Sequence, residues 1–311
     1  MKKQNKLKKN KGIINYIILV LLIVYSISLI VMLAWGLLTS LKTINDFQYN
    51  KFNLPKGIVA GKPGEGPLLY PWQWAWSNFG NIIKNFDIET TRAGKRIAIS
   101  MMMQFVYTLM YAGGCAAISV FVTTVMAYLV TKFDYALSRV IYTFVVVAMV
   151  IPVIGTMPAT LTVLNKLNLY DTFFGIYIMN FTFSGMYFLI FCGIFSGISN
   201  EYSEAAYIDG ASELRVLFRI MFPLVMPTCA TVFLIQFINL WNDYNTSIVY
   251  MPSHPTLARG VFALRNVDRN GFSSEPMRLA GCMILAIPIT AIFIAFKEKI
   301  MENVTMGGVK E

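Results

Sequence analysis

Long apolar runs alternate with polar segments along most of the chain. The first run covers residues 13–39, and five more lie at about 105–130, 140–157, 174–198, 228–250 and 277–296. A helix of about 20 apolar residues is long enough to cross the roughly 30 Å of hydrocarbon in a bilayer. The pattern therefore predicts an all-α polytopic membrane protein with about six transmembrane helices, some of them kinked or interrupted at Pro152, Pro158 and Pro288.

The spacing of the runs also predicts how the chain is divided. Residues 1–104 hold a lysine-rich N-terminus, the first transmembrane helix and a long loop, residues 40–104, rich in glycine, proline and tryptophan. We expect Trp72, Trp74 and Trp76 to anchor this loop at the membrane interface rather than to stack on a sugar ring. Residues 105–311 form the core, with five transmembrane helices and a polar loop at residues 199–227.

Composition supports a membrane protein and helps to orient it. Of the 311 residues, 56% are hydrophobic, and the formal net charge is +10. Six lysines stand among the first eleven residues, directly before the first apolar run. The positive-inside rule explains this charge better than nucleic-acid binding does, so we expect no nucleic acid and a cytoplasmic N-terminus. Six spans then place the C-terminus and the 199–227 loop in the cytoplasm as well.

The 199–227 loop has the pattern of folded structure rather than of a flexible linker. Ser199 or Asn200 can cap a first helix, and Gly210 can end that helix in the left-handed conformation. Ser212 can cap a second helix, which Pro223 and Pro227 are expected to interrupt. Two short helices joined at a glycine predict a docking surface that is connected directly to the flanking spans.

Catalytic motifs are missing from the sequence. There is no phosphate-binding Walker loop, no HExxH zinc motif and no Gly-x-Ser-x-Gly elbow, and His254 is the only histidine. The four cysteines lie inside apolar runs without the spacing of zinc ligands. We therefore expect no catalytic residue, no metal site and no cofactor bound by this chain.

Polar residues in the fifth run recur on one face of a helix. Gln236, Asn239 and Asp243 stand at positions i, i+3 and i+7. Polar side chains within a span face the protein interior or a water-filled path. Two interpretations remain open: the three residues line a translocation pathway for a hydroxylated solute, or they bond to neighbouring helices.

The loop contains a specific combination of residues: Glu204, Ala205 and Ala206, then Asp209 and Gly210, and a proline-ended apolar stretch. In this combination the chain resembles the permease subunits of binding-protein-dependent ABC importers of type I, whose coupling loop has the signature EAA followed by a glycine. Within that group it is similar to the maltose-type second permease of carbohydrate uptake systems. The segments at residues 241–244 and 303–310 support the narrower resemblance.

The resemblance implies a mechanism. A second, different permease would complete the pathway, two ATPase subunits would bind ATP and Mg²⁺, and an external solute-binding protein would deliver a sugar or oligosaccharide. Glu204, Ala205, Ala206, Asp209 and Gly210 would form the coupling helix that contacts one ATPase. The tail residues that would reach between the ATPases are Gly307, Gly308, Val309 and Lys310. Two alternatives are a non-sugar solute for the same machine and a secondary transporter that works alone.

Overall fold

The computed structural model describes residues 13–57, 66–92, 94–151, 155–183, 185–266 and 272–306. The chain divides into two compact units, one of residues 1–82 with 268–283 and the other of residues 83–267 with 284–311. The helices are α1 (Ile13–Ser40), α2 (Ile44–Tyr49), α3 (Ser77–Asn85), α4 (Met101–Lys132), α5 (Ala136–Val150), α6 (Thr156–Lys166), α7 (Phe173–Met179), α8 (Met186–Gly197), α9 (Glu201–Ile208), α10 (Glu213–Val216), α11 (Phe222–Trp241), α12 (Asn245–Val249), α13 (Leu257–Ala263) and α14 (Glu275–Met306). Two strands, β1 (Asp87–Arg92) and β2 (Lys95–Ser100), form an antiparallel hairpin.

The predicted fold class is confirmed. Within the described residues, four helical stretches are long and apolar enough to cross a membrane: Asn15–Ser40, Met101–Lys132, Glu213–Trp241 and Glu275–Glu298. Two shorter apolar helices, α5 and α8, lie where the third and fourth spans were predicted. The predicted interruption at Pro288 is wrong, because α14 continues through this residue. Pro158 stands in the first turn of α6, where a missing backbone N–H leaves no helical bond unmade.

In the first unit, the long loop is folded onto the end of α1. Lys42 donates from Nζ to the backbone oxygen of Asn50 at 2.5 Å, and the amide of Asn78 donates to the backbone oxygens of Ser40 and Lys42, both at 2.8 Å. The apolar side chains of residues 16–33 of α1 are exposed. Trp72 is also exposed, and its ring stacks on that of Tyr70 with centroids 4.7 Å apart. The loop is therefore held beside the point where α1 ends.

In the second unit, α4 is the central helix, and it packs mainly against α11 and α8. Its buried face carries a row of small side chains, which lets neighbouring helices approach closely. These residues are Ala112, Cys115, Ala116, Ser119, Thr123 and Ala127. Next to the last of them, Phe188, Phe191 and Phe195 of α8 fill the core. Gly114 also allows a close approach, because a side chain there would clash with Tyr177 of α7, whereas the neighbouring Gly113 faces open space.

The predicted continuous fourth span is wrong, because α7 ends at Met179 and α8 starts at Met186. Asn180 follows α7, and its side-chain amide donates to the backbone oxygen of Ile176 at 2.9 Å. Such local side-chain bonds compete with continuation of a helix. The backbone oxygen of Thr182, freed by the break, accepts a bond from Thr123 of α4 at 3.3 Å. A neighbouring helix thus satisfies the interrupted backbone, as a span requires.

The hairpin comes directly before α4 and is not evident from the pattern of hydrophobic and polar residues. Thr90 of β1 donates from Oγ1 to the backbone oxygen of Pro252 at 2.8 Å, and Ser253 donates from Oγ to the backbone oxygen of Thr91 at 3.0 Å. Asp171, which precedes α7, accepts the backbone N–H of Ser253 at 2.9 Å. The hairpin, the α6–α7 connection and the segment after α12 therefore meet at one end of α4. We call it the hairpin end, and the opposite end, next to α9, the α9 end.

His254 lies in this network. Its Nδ1 is 3.3 Å from Oδ1 of Asp171, and its ring packs edge-on against Tyr107 and Phe173. Burial lowers the pKa of His254 below its ordinary value of 6.5, although Asp171 acts in the opposite direction. The folded protein therefore holds this imidazole neutral at pH 7.

We expect the hairpin end to lose stability as the pH falls below about 6.5, because the unfolded chain then takes up a proton that the buried His254 resists. Thermal unfolding of the purified protein at pH 7.5 and pH 5.5 measures this loss. His254→Gln, which does not titrate, is expected to show a smaller difference between the two conditions. An equal loss in both proteins would show that other groups are responsible.

Candidate functional site

Helix α9 forms because both of its ends are capped. Ser199 accepts the backbone N–H of Glu201 on its Oγ at 3.3 Å. At the other end Gly210 adopts φ +77°, its N–H donates to the backbone oxygen of Tyr207, and the N–H of Ala211 donates to that of Ala206. This pair of bonds is the Schellman motif, in which a glycine ends the helix in the left-handed conformation. The predicted helix and its predicted end at Gly210 are confirmed.

The two faces of α9 have different surroundings. Ser203 and Ala206 are buried, and Ala206 belongs to the apolar cluster that contains Phe191 and Phe195 of α8. Glu204 and Ala205 are exposed on the other face. Of the two alanines assigned to the coupling helix, Ala205 is thus available for contact, whereas Ala206 joins the core of the chain itself. Asp209 and Gly210 are exposed beside them.

The sequence pattern does not predict that two apolar residues, one at the end of α9 and one in α10, are exposed. Ile208 is 87% exposed and Leu214 is 69% exposed, each in a segment whose other face is buried. In a sequence they look like core residues, and their exposure follows from which helix face packs inward. Glu204, Ala205 and Ile208 form what we call the α9 surface: an exposed helix face of mixed acidic and apolar character. Exposed apolar groups gathered in this way mark sites of protein contact.

The helix after α9 runs from Glu213 to Trp241 through α10, a π-helical turn at Leu217–Met221 and α11. The predicted interruption at Pro223 and Pro227 is therefore wrong. In the π turn, the N–H of Phe222 donates to the backbone oxygen of Leu217, five residues back. The wider turn leaves space for the ring of Pro223 where a regular helix would clash with it. The loop is thus joined rigidly to the fifth span.

The predicted pathway residues have different surroundings. Gln236 donates from Nε2 to Oγ of Ser119 on α4 at 3.0 Å. Asp243 accepts the hydroxyl of Tyr111 on Oδ2 at 2.7 Å, and its Oδ1 accepts the backbone N–H groups of Asn245 and Thr246. These two side chains bond to a neighbouring helix or cap α12. Asn239, by contrast, is exposed on the surface of the single chain.

Two further predictions concern the ends of the chain and metal binding. Gly307, Gly308, Val309 and Lys310 lie outside the described residues, as do the six N-terminal lysines. Among the residues that the structure describes, no group of three or more His, Cys, Asp or Glu side chains is arranged to hold a metal ion.

Comparisons with known proteins agree on one family. Residues 119–297 match the family model described as "Binding-protein-dependent transport system inner membrane component". The arabinooligosaccharides transport system permease protein AraQ of Bacillus subtilis is 25% identical over 195 residues, which are 62% of this chain and 68% of that protein. The osmoprotective compounds uptake permease protein GgtD of a Synechocystis species is 25% identical over 209 residues, 66% of this chain and 70% of that protein.

A solved structure supports the fold. A chain from the crystal structure of a bacterial ABC transporter involved in the import of the acidic polysaccharide alginate superimposes with a TM-score of 0.69. The match covers 93% of this chain and 97% of that chain, at 20% sequence identity. The two chains therefore share their architecture.

We expect Asp243 and Asn239 to respond differently to mutation. Asp243→Ala leaves the buried hydroxyl of Tyr111 and two backbone N–H groups without their acceptor, so the free energy of unfolding should fall by about 1–3 kcal/mol. Asn239→Ala changes an exposed residue and should alter that free energy by less than about 0.5 kcal/mol. Thermal unfolding in detergent measures both. Equal destabilisation by the two substitutions would contradict the difference in their surroundings.

Proposed function

Because this chain belongs to the family of binding-protein-dependent transport system inner membrane components, we propose that it is the permease subunit of an ABC importer that moves a sugar or oligosaccharide into the cytoplasm. The family consists of integral membrane subunits that form a pathway and are not enzymes. The arabinooligosaccharide permease among the relatives supports a carbohydrate as the solute. The four long apolar helices and two shorter ones are consistent with such a pathway.

The observation that carries the proposal is the α9 surface on its rigid support. The surface presents Glu204, Ala205 and Ile208 to the outside, while Gly210 ends the helix and the π turn continues directly into the fifth span. A flexible loop would absorb a displacement, whereas a capped helix joined to a span transmits it. This supports a role as the coupling helix, contacted by one ATPase subunit. Asp209 and Gly210 then fix where that helix ends.

The proposed assembly contains subunits other than this chain. Family membership implies ATPase subunits and a solute-binding protein. We propose that there are two ATPases, which bind ATP and Mg²⁺ and hydrolyse the ATP, and that this chain binds no cofactor. A second, different permease would complete the pathway, consistent with the exposed apolar length of α1. The tail residues Gly307–Lys310 are proposed to contact the ATPases.

The orientation of the chain in the membrane follows from charge and from the number of spans. The six N-terminal lysines favour a cytoplasmic N-terminus. Six crossings, of which the fourth is the broken α7–α8 pair, then bring the C-terminus and α9 to the cytoplasmic side. The hairpin end would face outward, at the cytoplasmic membrane of a bacterial cell.

Within the pathway, we propose different roles for the three polar residues of α11 and the turn after it. Asn239 is exposed in the single chain, so it is the best placed to face the solute or the second permease. Gln236 and Asp243 bond to α4 and are proposed to set the shape of the pathway wall. A non-sugar solute is the second candidate, since one relative is an uptake permease for osmoprotective compounds.

We expect Glu204→Lys and Gly210→Pro to abolish uptake while the protein stays in the membrane. Glu204 is exposed, so a reversed charge changes the α9 surface without disturbing the core. Proline cannot adopt the φ of +77° found at Gly210, so the end of α9 would be lost. The substrate is a carbohydrate that supports growth only of cells that contain this protein. The measurement is cellular uptake of that carbohydrate, with the membrane level of each variant determined by immunoblot.

The matched control is Gly197→Ala, near the end of α8, where an added methyl group meets open space. It should leave uptake unchanged. Normal uptake by both Glu204→Lys and Gly210→Pro would remove the coupling role from α9.

A further inference from the structure

Lys132 occupies a point where three helix ends meet. It is the last residue of α4, and its Nζ donates to the backbone oxygen of Ile198 at 2.6 Å and to Oδ1 of Asn200 at 2.8 Å. Ile198 is the C-cap of α8, and Asn200 is the N-cap of α9. One ammonium group therefore connects the end of α4, the end of α8 and the start of α9.

The electrostatics of this arrangement are favourable. The carbonyl end of a helix carries a partial negative charge, so an ammonium group is stabilised both at the end of α4 and at the end of α8. The start of α9 carries the opposite partial charge and would repel a cation directly. The side-chain oxygen of Asn200 accepts a hydrogen bond from the ammonium group of Lys132 at the start of α9, instead of capping α9 itself. Ser199 supplies the side-chain cap in its place.

The remaining contacts of α9 with the bundle are small. Ser203 and Ala206 are its buried residues, and near its C-terminal end Tyr207 forms a side-chain hydrogen bond with Tyr128 of α4. Contacts between small apolar groups have no preferred direction, so they resist separation better than sliding. Hydrogen bonds to a charged donor depend on distance and angle, so they fix a position. Lys132 is thus the charged group that holds the start of α9, as Gly210 determines its end.

We propose that Lys132 is a positioning residue that holds α9 to α4, so that the two helices move as one body when an ATPase displaces α9. The proposal rests on the proposed coupling role of α9 and adds to it the residue that passes the displacement to the central helix. α4 runs from the α9 end to the hairpin end, so a displacement passed to it reaches both sides of the membrane. The effect requires no change in the α9 surface itself.

A distance measurement between the two helices tests the proposal. Spin labels are attached at two exposed positions, Tyr202→Cys on α9 and Met103→Cys at the hairpin end of α4. The exposed Cys282 is changed to Ser so that it is not labelled. The 30 residues from Met103 to Lys132 span about 44 Å of helix, a separation suited to pulsed electron paramagnetic resonance. We expect one narrow distance, which keeps its width when ATP and vanadate are added to the complete assembly.

Lys132→Met should add a second, broader population of distances. The population in which α9 is detached should increase roughly tenfold, because the stabilisation from hydrogen bonds to a charged group changes an equilibrium constant by about that factor. Lys132→Arg keeps the charge and the donors and should restore the narrow distance. Asn200→Ala removes one of the two acceptors, so it should give an intermediate result even if Lys132→Met fails to insert. Uptake should fall in the same order, by a larger factor than ATP hydrolysis does.

The matched control is Arg139→Met, at the start of α5 near the same end of α4. Its ion pair with Asp134, at 3.2 Å, has both side chains more than 75% exposed, and such pairs contribute little. It should leave the distance narrow. An unchanged distance in both Lys132→Met and Asn200→Ala would overturn the proposal. The distances measured without nucleotide depend on this chain alone and test the role of Lys132. Failure of the wild-type protein to retain an ATPase subunit would contradict the proposed function, and the two failures are therefore distinguishable.

Discussion

The close approach of α4 to α11 and α8 is the constraint on which the second unit depends. Helices gain little from the hydrophobic effect when they associate in lipid, because lipid tails are as apolar as the side chains. Close packing and side-chain hydrogen bonds must hold them instead. The row of small residues on α4 allows the close packing. The side-chain hydrogen bonds are those of Gln236 with Ser119, Thr124 with Cys229 and Tyr111 with Asp243.

The distribution of these bonds decides which residues matter for stability. A single interhelical bond in a membrane contributes about 0.6 kcal/mol on average, so the loss of one such contact is tolerable. Asp243 is different because it accepts three bonds, one from α4 and two from the backbone of α12. It therefore fixes the hairpin end of α11 relative to α4. At the α9 end, Lys132 and the phenylalanines of α8 have the corresponding role.

Features that depend on local sequence were predictable, and features that depend on packing were not. The helix that ends at Gly210 follows from cap residues and from the conformational freedom of glycine, and the structure contains it. The prolines at 223, 227 and 288 predict breaks, yet helices pass all three, and at Pro223 a π turn accommodates the ring. The break at Asn180 has no proline, and the backbone oxygen of Thr182 that it frees is satisfied by Thr123 from another helix.

The candidate site shows the same division. The chain positions of Glu204, Ala205 and Ala206 were evident, but the burial of Ala206 depends on which face of α9 meets α8. The periodicity of Gln236, Asn239 and Asp243 predicted a shared face without showing what each residue contacts. Exposure of Ile208 could not be inferred from its apolar character. Side-chain surroundings are tertiary information, which one sequence does not contain.

The continuous helix from Glu213 to Trp241 has a mechanical consequence. Its 29 residues make a rod about 43 Å long, with the π turn close to one end and Trp241, bonded to the backbone oxygen of Leu285, at the other. A rod of this length cannot shorten to absorb a push at its first turn, so it must tilt. A tilt of a few degrees moves the far end by a few ångströms, which is the diameter of a water molecule. Under the proposed coupling role, small angular changes at one membrane surface would be amplified into the width of an opening at the other.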